Sequence, residues 1–100
     1  MLNIGDRAGV ILKEEGGFIF LIGYGVYLGK EIPVEAVGPM AEQLRKDEVP
    51  NPKIKLDSGS VVYGCECYWG DESGLKRKIE KNPNVIDVDI NDIREKYLQN

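Results

Sequence analysis

Two cysteines on either side of a glutamate, Cys65, Glu66 and Cys67, are the residues of this sequence best suited to chemistry. Thiolates bind metal ions and exchange electrons, while a carboxylate can carry a proton. The chain contains two cysteines and no histidine. Because a structural zinc site takes four ligands, two copies of the chain would have to share one, each giving two thiolates. One hypothesis for Cys65 and Cys67 is therefore a zinc site at the interface of a homodimer.

A redox pair and simple core packing are the other interpretations of these cysteines. On one strand their Cα atoms would lie about 6.5–7 Å apart, at the edge of what a disulfide allows. A cytoplasmic protein would keep both reduced, and without histidine a cysteine nucleophile lacks its usual base. Free cysteine often packs as a small buried hydrophobe. The spacing favours Cys65 and Cys67 as core residues on one strand face, with a metal-linked or redox-linked protein as the alternative.

Glu66 would point to the opposite face of that strand. It can be solvated, it can be half-buried and paired across strands, or it can be a buried acid in a cleft, which would indicate function. A hydrolase that uses Glu66 with Asp57 or Asp71 is a further alternative, although nothing in the spacing of these acids favours it. The cations that a neighbouring strand could offer to Glu66 are Lys53, Lys55 and Arg7.

Aromatic residues close to glycines form a second group of candidates. A strand predicted over residues 18–28 would place Gly23 and Gly25 on one face and leave a bare strip of backbone, which marks either sharp curvature or a bound ligand. Tyrosine and tryptophan are favoured in recognition surfaces because they bury a large area and carry a polar tip. The leading hypothesis is a non-enzymatic binding or protein-interaction module whose surface comprises Gly23, Tyr24, Gly25, Tyr27, Glu66, Tyr68 and Trp69.

The composition limits the classes of partner. The 100 residues are 42% hydrophobic and 30% charged, which is typical of a globular protein, and we treat 1–100 as a single domain. A net charge of −4 argues against nucleic acid, because phosphate binding needs a basic surface. No apolar run could span a membrane, and the first residues do not resemble a signal peptide, so we expect a cytoplasmic protein. We expect no cofactor, and a protein or small molecule as the partner.

The strands that would position these residues follow from period-two alternation, which predicts two antiparallel hairpins. Gly16-Gly17 would close the first hairpin and Gly59 the second, because glycine readily adopts positive φ. The four predicted strands cover residues 4–13, 18–28, 53–56 and 60–69.

Helical signals alternate with these hairpins. A helix is predicted over residues 39–46 with Met40 and Leu44 buried, and a second one begins at a cap formed by Asp71 or Ser73. A strand over 85–90, with Ile86, Val88 and Ile90 inward, precedes a last helix capped by Asn91. The sequence therefore predicts an α+β fold: a small curved antiparallel sheet, or an open SH3-like barrel, of about five strands with two or three short helices.

Three segments of the chain are distinctive in combination: FLIGYGVYLG at residues 20–29, NPKIKLDSG at 51–59 and GCECYWG at 64–70. Together they resemble a family of small uncharacterised bacterial proteins, over roughly residues 4–80. That family has no assigned activity, so the resemblance implies no catalytic or binding residues. It does imply a bacterial and cytoplasmic origin.

Overall fold

The computed structural model describes residues 2–99, which form six strands, three helices and one short 3-10 turn. The helices are α1 (Pro39–Lys46), α2 (Glu72–Lys81) and α3 (Ile90–Gln99), and the 3-10 turn covers Gly64–Glu66. The strands are β1 (Arg7–Glu15), β2 (Phe18–Glu31), β3 (Asn51–Leu56), β4 (Val61–Tyr63), β5 (Tyr68–Asp71) and β6 (Val85–Asp87).

The long strand β2 organises the sheet. One of its edges pairs with β1, and the other pairs with β3 and, in parallel orientation, with β6. The strand order is β4-β3-β2-β1-β5, so the sheet is open, with β4 and β5 at its two edges. Register shifts around Ile11 are typical of β-bulges, which bend a sheet. The predicted α+β fold, with a small open sheet and three short helices, is confirmed. The sheet has six strands rather than about five, because the strand predicted over residues 60–69 is divided into β4 and β5.

Both predicted hairpin turns are present. Gly16 and Gly17 connect β1 to β2 with φ of +59° and +81°, and Gly59 connects β3 to β4 with φ of +100°. At positive φ most residues with a side chain are strained, whereas glycine is not. The glycines alone were therefore enough to locate the turns from the sequence.

The single strand predicted over residues 60–69 is wrong, because the 3-10 turn breaks it. Glu66 Oε1 accepts a hydrogen bond from the Tyr63 N–H at 3.2 Å, and Asn51 Oδ1 accepts one from the Cys65 N–H at 2.6 Å. These bonds hold the chain in a turn after β4. It then crosses to the other edge of the sheet, where β5 pairs with β1.

The first two helices follow their predicted signals, with one correction to the buried face. α1 has the predicted bounds, but Met40 is 64% exposed and Ala41 is the buried residue instead. α2 is capped by Asp71, whose Oδ1 accepts a hydrogen bond from the Gly74 N–H at 3.0 Å. Leu75 of α2 packs directly over Gly9 of β1.

The end of the chain departs further from the prediction. β6 is only three residues long, and Ile90 is buried at the start of α3 rather than in a strand. Asp89 Oδ1 accepts a hydrogen bond from the Asn91 N–H at 2.7 Å, so Asp89 provides the side-chain bond expected from Asn91. Ile86 was expected inward but is exposed.

None of the helices in residues 2–99 is long and apolar enough to cross a membrane.

Most of the buried hydrophobic residues belong to two clusters. The main cluster lies beneath the sheet, and a smaller one lies beside α1. The main cluster consists of Ala8, Val10, Ile54, Leu56, Val62, Cys67 and Ile90, and the smaller of Ala36, Ala41 and Tyr63.

Candidate functional site

β5 is an edge strand with exposed aromatic side chains. Tyr68 is 69% exposed and Trp69 40%, and all four residues of the strand are exposed. In an antiparallel pair alternate residues direct their N–H and C=O groups toward the neighbouring strand, and the others point away. Within residues 2–99 β5 pairs with β1 alone, so its outer backbone groups have no backbone partner there. Such an edge is a template for pairing with another chain.

Tyr68 and Gly70 border a cleft on the α2 side of the sheet. Gly70 pairs with Gly9, directly beneath Leu75, which places both glycines on this side. A Cβ at Gly70 would meet no atom within 4 Å, so the space above it is open. The cleft, which we call the Tyr68 cleft, has a volume of about 300 Å³. Its lining includes Ile11, Tyr68, Gly70, Leu75 and Lys78, and the neighbouring Trp69 also contributes to it.

Trp69 borders a second cleft on the opposite face, because successive side chains of a strand alternate. It pairs with Val10, whose side chain is fully buried in the main core. Its ring packs against Gly64, where a Cβ would come 3.0 Å from Trp69 Cζ3. This cleft, the Trp69 cleft, has a volume of about 450 Å³. Its lining includes Leu2, Tyr27, Lys30, Pro50, Pro52 and Trp69, so its walls are largely aromatic and apolar.

The predicted glycine strip is covered by the protein itself. A Cβ at Gly25 would lie 2.1 Å from the carbonyl oxygen of Lys55 and 2.7 Å from the Cα of Leu56. Gly23 has φ of +149°, and a Cβ there would face the Leu56 side chain at 3.8 Å. The glycines therefore allow β3 to approach β2 closely and do not form an open surface.

The predicted tyrosines separate into two groups. Tyr27 and Tyr68 border the Trp69 and Tyr68 clefts, respectively. Tyr24 is partly buried, and its ring centre lies 5.2 Å from Lys76 Nζ, within the range of a cation–π contact. Burial raises the pKa of the Tyr24 hydroxyl, and nearby Glu72 adds to that shift. The structure thus brings Tyr27, Tyr68 and Trp69 to β5, whereas Tyr24 packs beside α2.

The side chain of Glu66 is largely covered and forms an ion pair with Arg94. Arg94 Nε donates to Oε2 at 2.8 Å and Nη2 donates to Oε1 at 2.7 Å, which is a bidentate arrangement. The Glu66 and Arg94 side chains are 8% and 12% exposed. These hydrogen bonds raise the pKa of the Arg94 guanidinium. Arg94 also donates to the Val61 carbonyl at 2.7 Å, so the pair fastens α3 to the turn between β4 and β5.

Glu66 is paired, as one of the alternatives for it required, but none of the three cations named for it is the partner. Lys53 pairs with Glu31 at 3.1 Å, Lys55 is exposed, and Arg7 binds both Asp57 and Glu72. The acids proposed for a hydrolase also have structural roles. Asp57 accepts two hydrogen bonds from Arg7, which lower the pKa of that carboxyl, and Asp71 caps α2.

The two cysteines are free thiols that belong to different packing clusters. Cys67 is buried in the main core and donates to the Tyr63 carbonyl at 3.3 Å, while Cys65 packs against the smaller cluster. Burial raises the pKa of the Cys67 thiol to about 12 and also raises the pKa of Cys65. Both shifts favour the protonated thiol over the thiolate that metal binding or redox exchange needs. The geometry therefore supports the interpretation as packing residues.

The described residues contain no group of three or more cysteine, aspartate or glutamate side chains arranged to hold a metal ion. A zinc site shared by two copies would need both cysteines at one surface. Since the 3-10 turn separates their environments, no feature of residues 2–99 favours that hypothesis over core packing.

Thiol labelling tests this interpretation. We predict that Cys67 reacts with a thiol reagent only after unfolding, and that Cys65 reacts slowly in the folded protein, because burial disfavours both thiolates. Mass spectrometry of the Cys65→Ser and Cys67→Ser variants assigns each rate. Rapid and complete labelling of Cys67 in the folded protein at neutral pH would contradict the packing role.

Sequence reasoning missed several residues of these sites. Glu66 and Arg94 are 28 positions apart and lie on different elements, so no local pattern connects them. Pro50 precedes β3 and Pro52 is its second residue, while Leu75 and Lys78 belong to α2. Their roles depend on how the sheet places β5 beside them. The aromatic residues near glycines were the one usable signal in the sequence.

Three comparisons with known proteins gave no match, whether to a family model, to a curated protein or to a solved structure.

Proposed function

We propose that this chain is a non-enzymatic, cytoplasmic protein-interaction module that binds a segment of a partner protein at β5. The observation that supports this proposal is the exposure of Tyr68 and Trp69 on an edge strand between two clefts. Aromatic side chains next to apolar pockets are typical of the residues that dominate binding energy in interfaces. Two free cysteines are consistent with a reducing compartment.

The engagement of the ionisable groups also favours binding over catalysis. Glu66 is bound by Arg94, Asp57 by Arg7, and both thiols have raised pKa values. A general acid, base or nucleophile needs an accessible group poised to exchange a proton. The clefts at β5 are instead lined mainly by apolar and aromatic side chains, which suit the burial of another apolar surface.

A peptide selection tests the proposed function. We expect a phage-displayed library of random peptides of about ten residues, long enough for one strand, to yield binders of the immobilised protein. Tyr68→Ala should weaken the best binder at least about tenfold, which corresponds to about 1.4 kcal/mol. The matched control is Tyr97→Ala, which removes another exposed tyrosine, on α3 and away from both clefts.

Urea denaturation checks that Tyr68→Ala and Tyr97→Ala have the same free energy of unfolding, so that a difference in binding does not reflect a loss of folded protein. Enrichment of no peptide above background would contradict the proposal. Equal binding by Tyr68→Ala and Tyr97→Ala would contradict the location of the binding surface at β5.

A further inference from the structure

We infer that the partner segment binds by strand addition, as an extended peptide that continues the sheet along the outer edge of β5. This inference rests on the proposed function and specifies its ligand: a peptide in which neighbouring residues are apolar and point to opposite faces. Three features of the described residues carry it, namely the free edge, the position of the two clefts, and the charge beside them.

The backbone of β5 supplies the first feature. β5 pairs with β1 on one side, and residues 2–99 place no other strand against its outer side. An added strand would bond to the N–H and C=O groups of alternate β5 residues, which is the interaction that gives affinity in strand-addition complexes. All four residues of β5 are exposed, which favours access to this edge.

The clefts supply the second feature. The Tyr68 cleft lies on the α2 side of β5, and the Trp69 cleft lies on the opposite face. Side chains of an added strand also alternate between the two faces, and directly opposed Cβ atoms in neighbouring strands lie about 4.5–5.5 Å apart. One peptide residue would therefore reach the Tyr68 cleft and the next residue the Trp69 cleft. Pockets for alternate side chains are what gives specificity in this mode of binding.

The charge at the Trp69 cleft supplies the third feature. Lys30 lines this cleft and forms no ion pair within the part of the chain that the structure describes. An acidic side chain of the peptide that enters this cleft would meet a lysine that has no ion-pair partner among the described residues. Because the chain carries a net charge of −4, a strongly acidic peptide would be repelled overall. The favoured ligand thus has two neighbouring apolar residues and one acid.

An N-methyl scan of the best peptide from the selection tests strand addition. Replacing a backbone N–H by N-methyl removes one donor without changing the side chain. We expect losses of at least about tenfold in affinity at every second position of the bound segment, and small effects at the positions between, because only alternate amides face β5. Native mass spectrometry of the protein alone reports whether two copies pair with each other instead.

The outcomes separate the inference from the proposed function. Alternating losses would support strand addition. If Tyr68→Ala weakens binding but the N-methyl scan shows no alternation, strand addition is wrong and the interaction module stands. If no peptide is enriched, the proposed function itself fails. If the protein dimerises and the Tyr68→Ala variant does not, the occupant of the edge is a second copy, which overturns the inference of a peptide from another protein.

Discussion

Replacing Gly25 with alanine is expected to lower the free energy of unfolding by about 4 kcal/mol or more, enough to leave much of a small domain unfolded. The reason is the position of β3: the new Cβ would lie 2.1 Å from a backbone carbonyl oxygen and 2.7 Å from a backbone Cα. Backbone atoms cannot rotate away as a side chain can, so β2 and β3 would have to separate. Equilibrium denaturation with urea measures the loss.

Gly70→Ala is the matched control for this prediction. It is the same substitution in another strand, and neither glycine has a positive φ. A Cβ at Gly70 meets no atom within 4 Å, and alanine reduces the entropy of the unfolded chain, so stability should stay equal or rise by about 0.5 kcal/mol. If Gly25→Ala were as stable as Gly70→Ala, the close approach of β3 to β2 would be wrong.

Removing the charge of Arg94 is expected to have the second largest effect. Arg94→Met keeps an apolar stem but leaves the covered Glu66 carboxylate without its cation. The free energy of unfolding should fall by about 3 kcal/mol. This value is at the low end for buried ion pairs, because both side chains keep slight exposure. The double variant Arg94→Met, Glu66→Gln should recover at least half of that loss, because glutamine is neutral and can still accept the Tyr63 N–H. Urea denaturation of the wild type and both variants provides the comparison.

Arg7→Met serves as the control for the Arg94 prediction. Arg7 also forms a bidentate pair with an acid, Asp57, but at an exposed site. Solvent screens such a pair, so its removal should destabilise the protein much less than Arg94→Met. Equal losses for the two arginine variants, or a double variant no more stable than Arg94→Met, would show that the buried charge of Glu66 is not the cause.

The parts of the fold that sequence could predict are those with a local physical cause. Gly16-Gly17 and Gly59 specify turns through φ, and α1 and α2 follow from a proline near the first helical position and from the Asp71 cap. These signals act within a few residues, so they do not depend on the rest of the chain.

The failures have tertiary causes. The break after β4 depends on the side chains of Glu66 and Asn51 and on the packing of Trp69 over Gly64, contacts that alternation in residues 60–69 does not reveal. Met40 is apolar and in phase with a helix, yet it is exposed, and Ala41 packs with Ala36 and Tyr63 instead. Periodicity predicts that a helix has a buried face, and tertiary packing decides which residues lie on that face.

The candidate site also combines features that local sequence indicates with features that depend on tertiary packing. The sequence singled out Tyr27, Tyr68 and Trp69 as aromatic residues near glycines, and the structure places all three beside the two clefts. Whether those side chains are exposed depends on which strand becomes the edge of the sheet, and that follows from long-range pairing of β5 with β1. The glycine strip was expected to mark either sharp curvature or a bound ligand. The structure shows a third reason, the close approach of the β3 backbone to Gly25.

The most direct test of recognition at β5 is amide hydrogen exchange, measured by NMR with and without the selected peptide. We predict that outward-facing amides of Tyr68–Asp71 exchange at least about tenfold more slowly in the complex, because a new strand accepts their hydrogen bonds. The amides of β4, at the other edge of the sheet, provide the internal control and should keep their rates. A bound peptide that leaves the exchange of β5 unchanged, or that protects β4 instead, would contradict recognition at this edge.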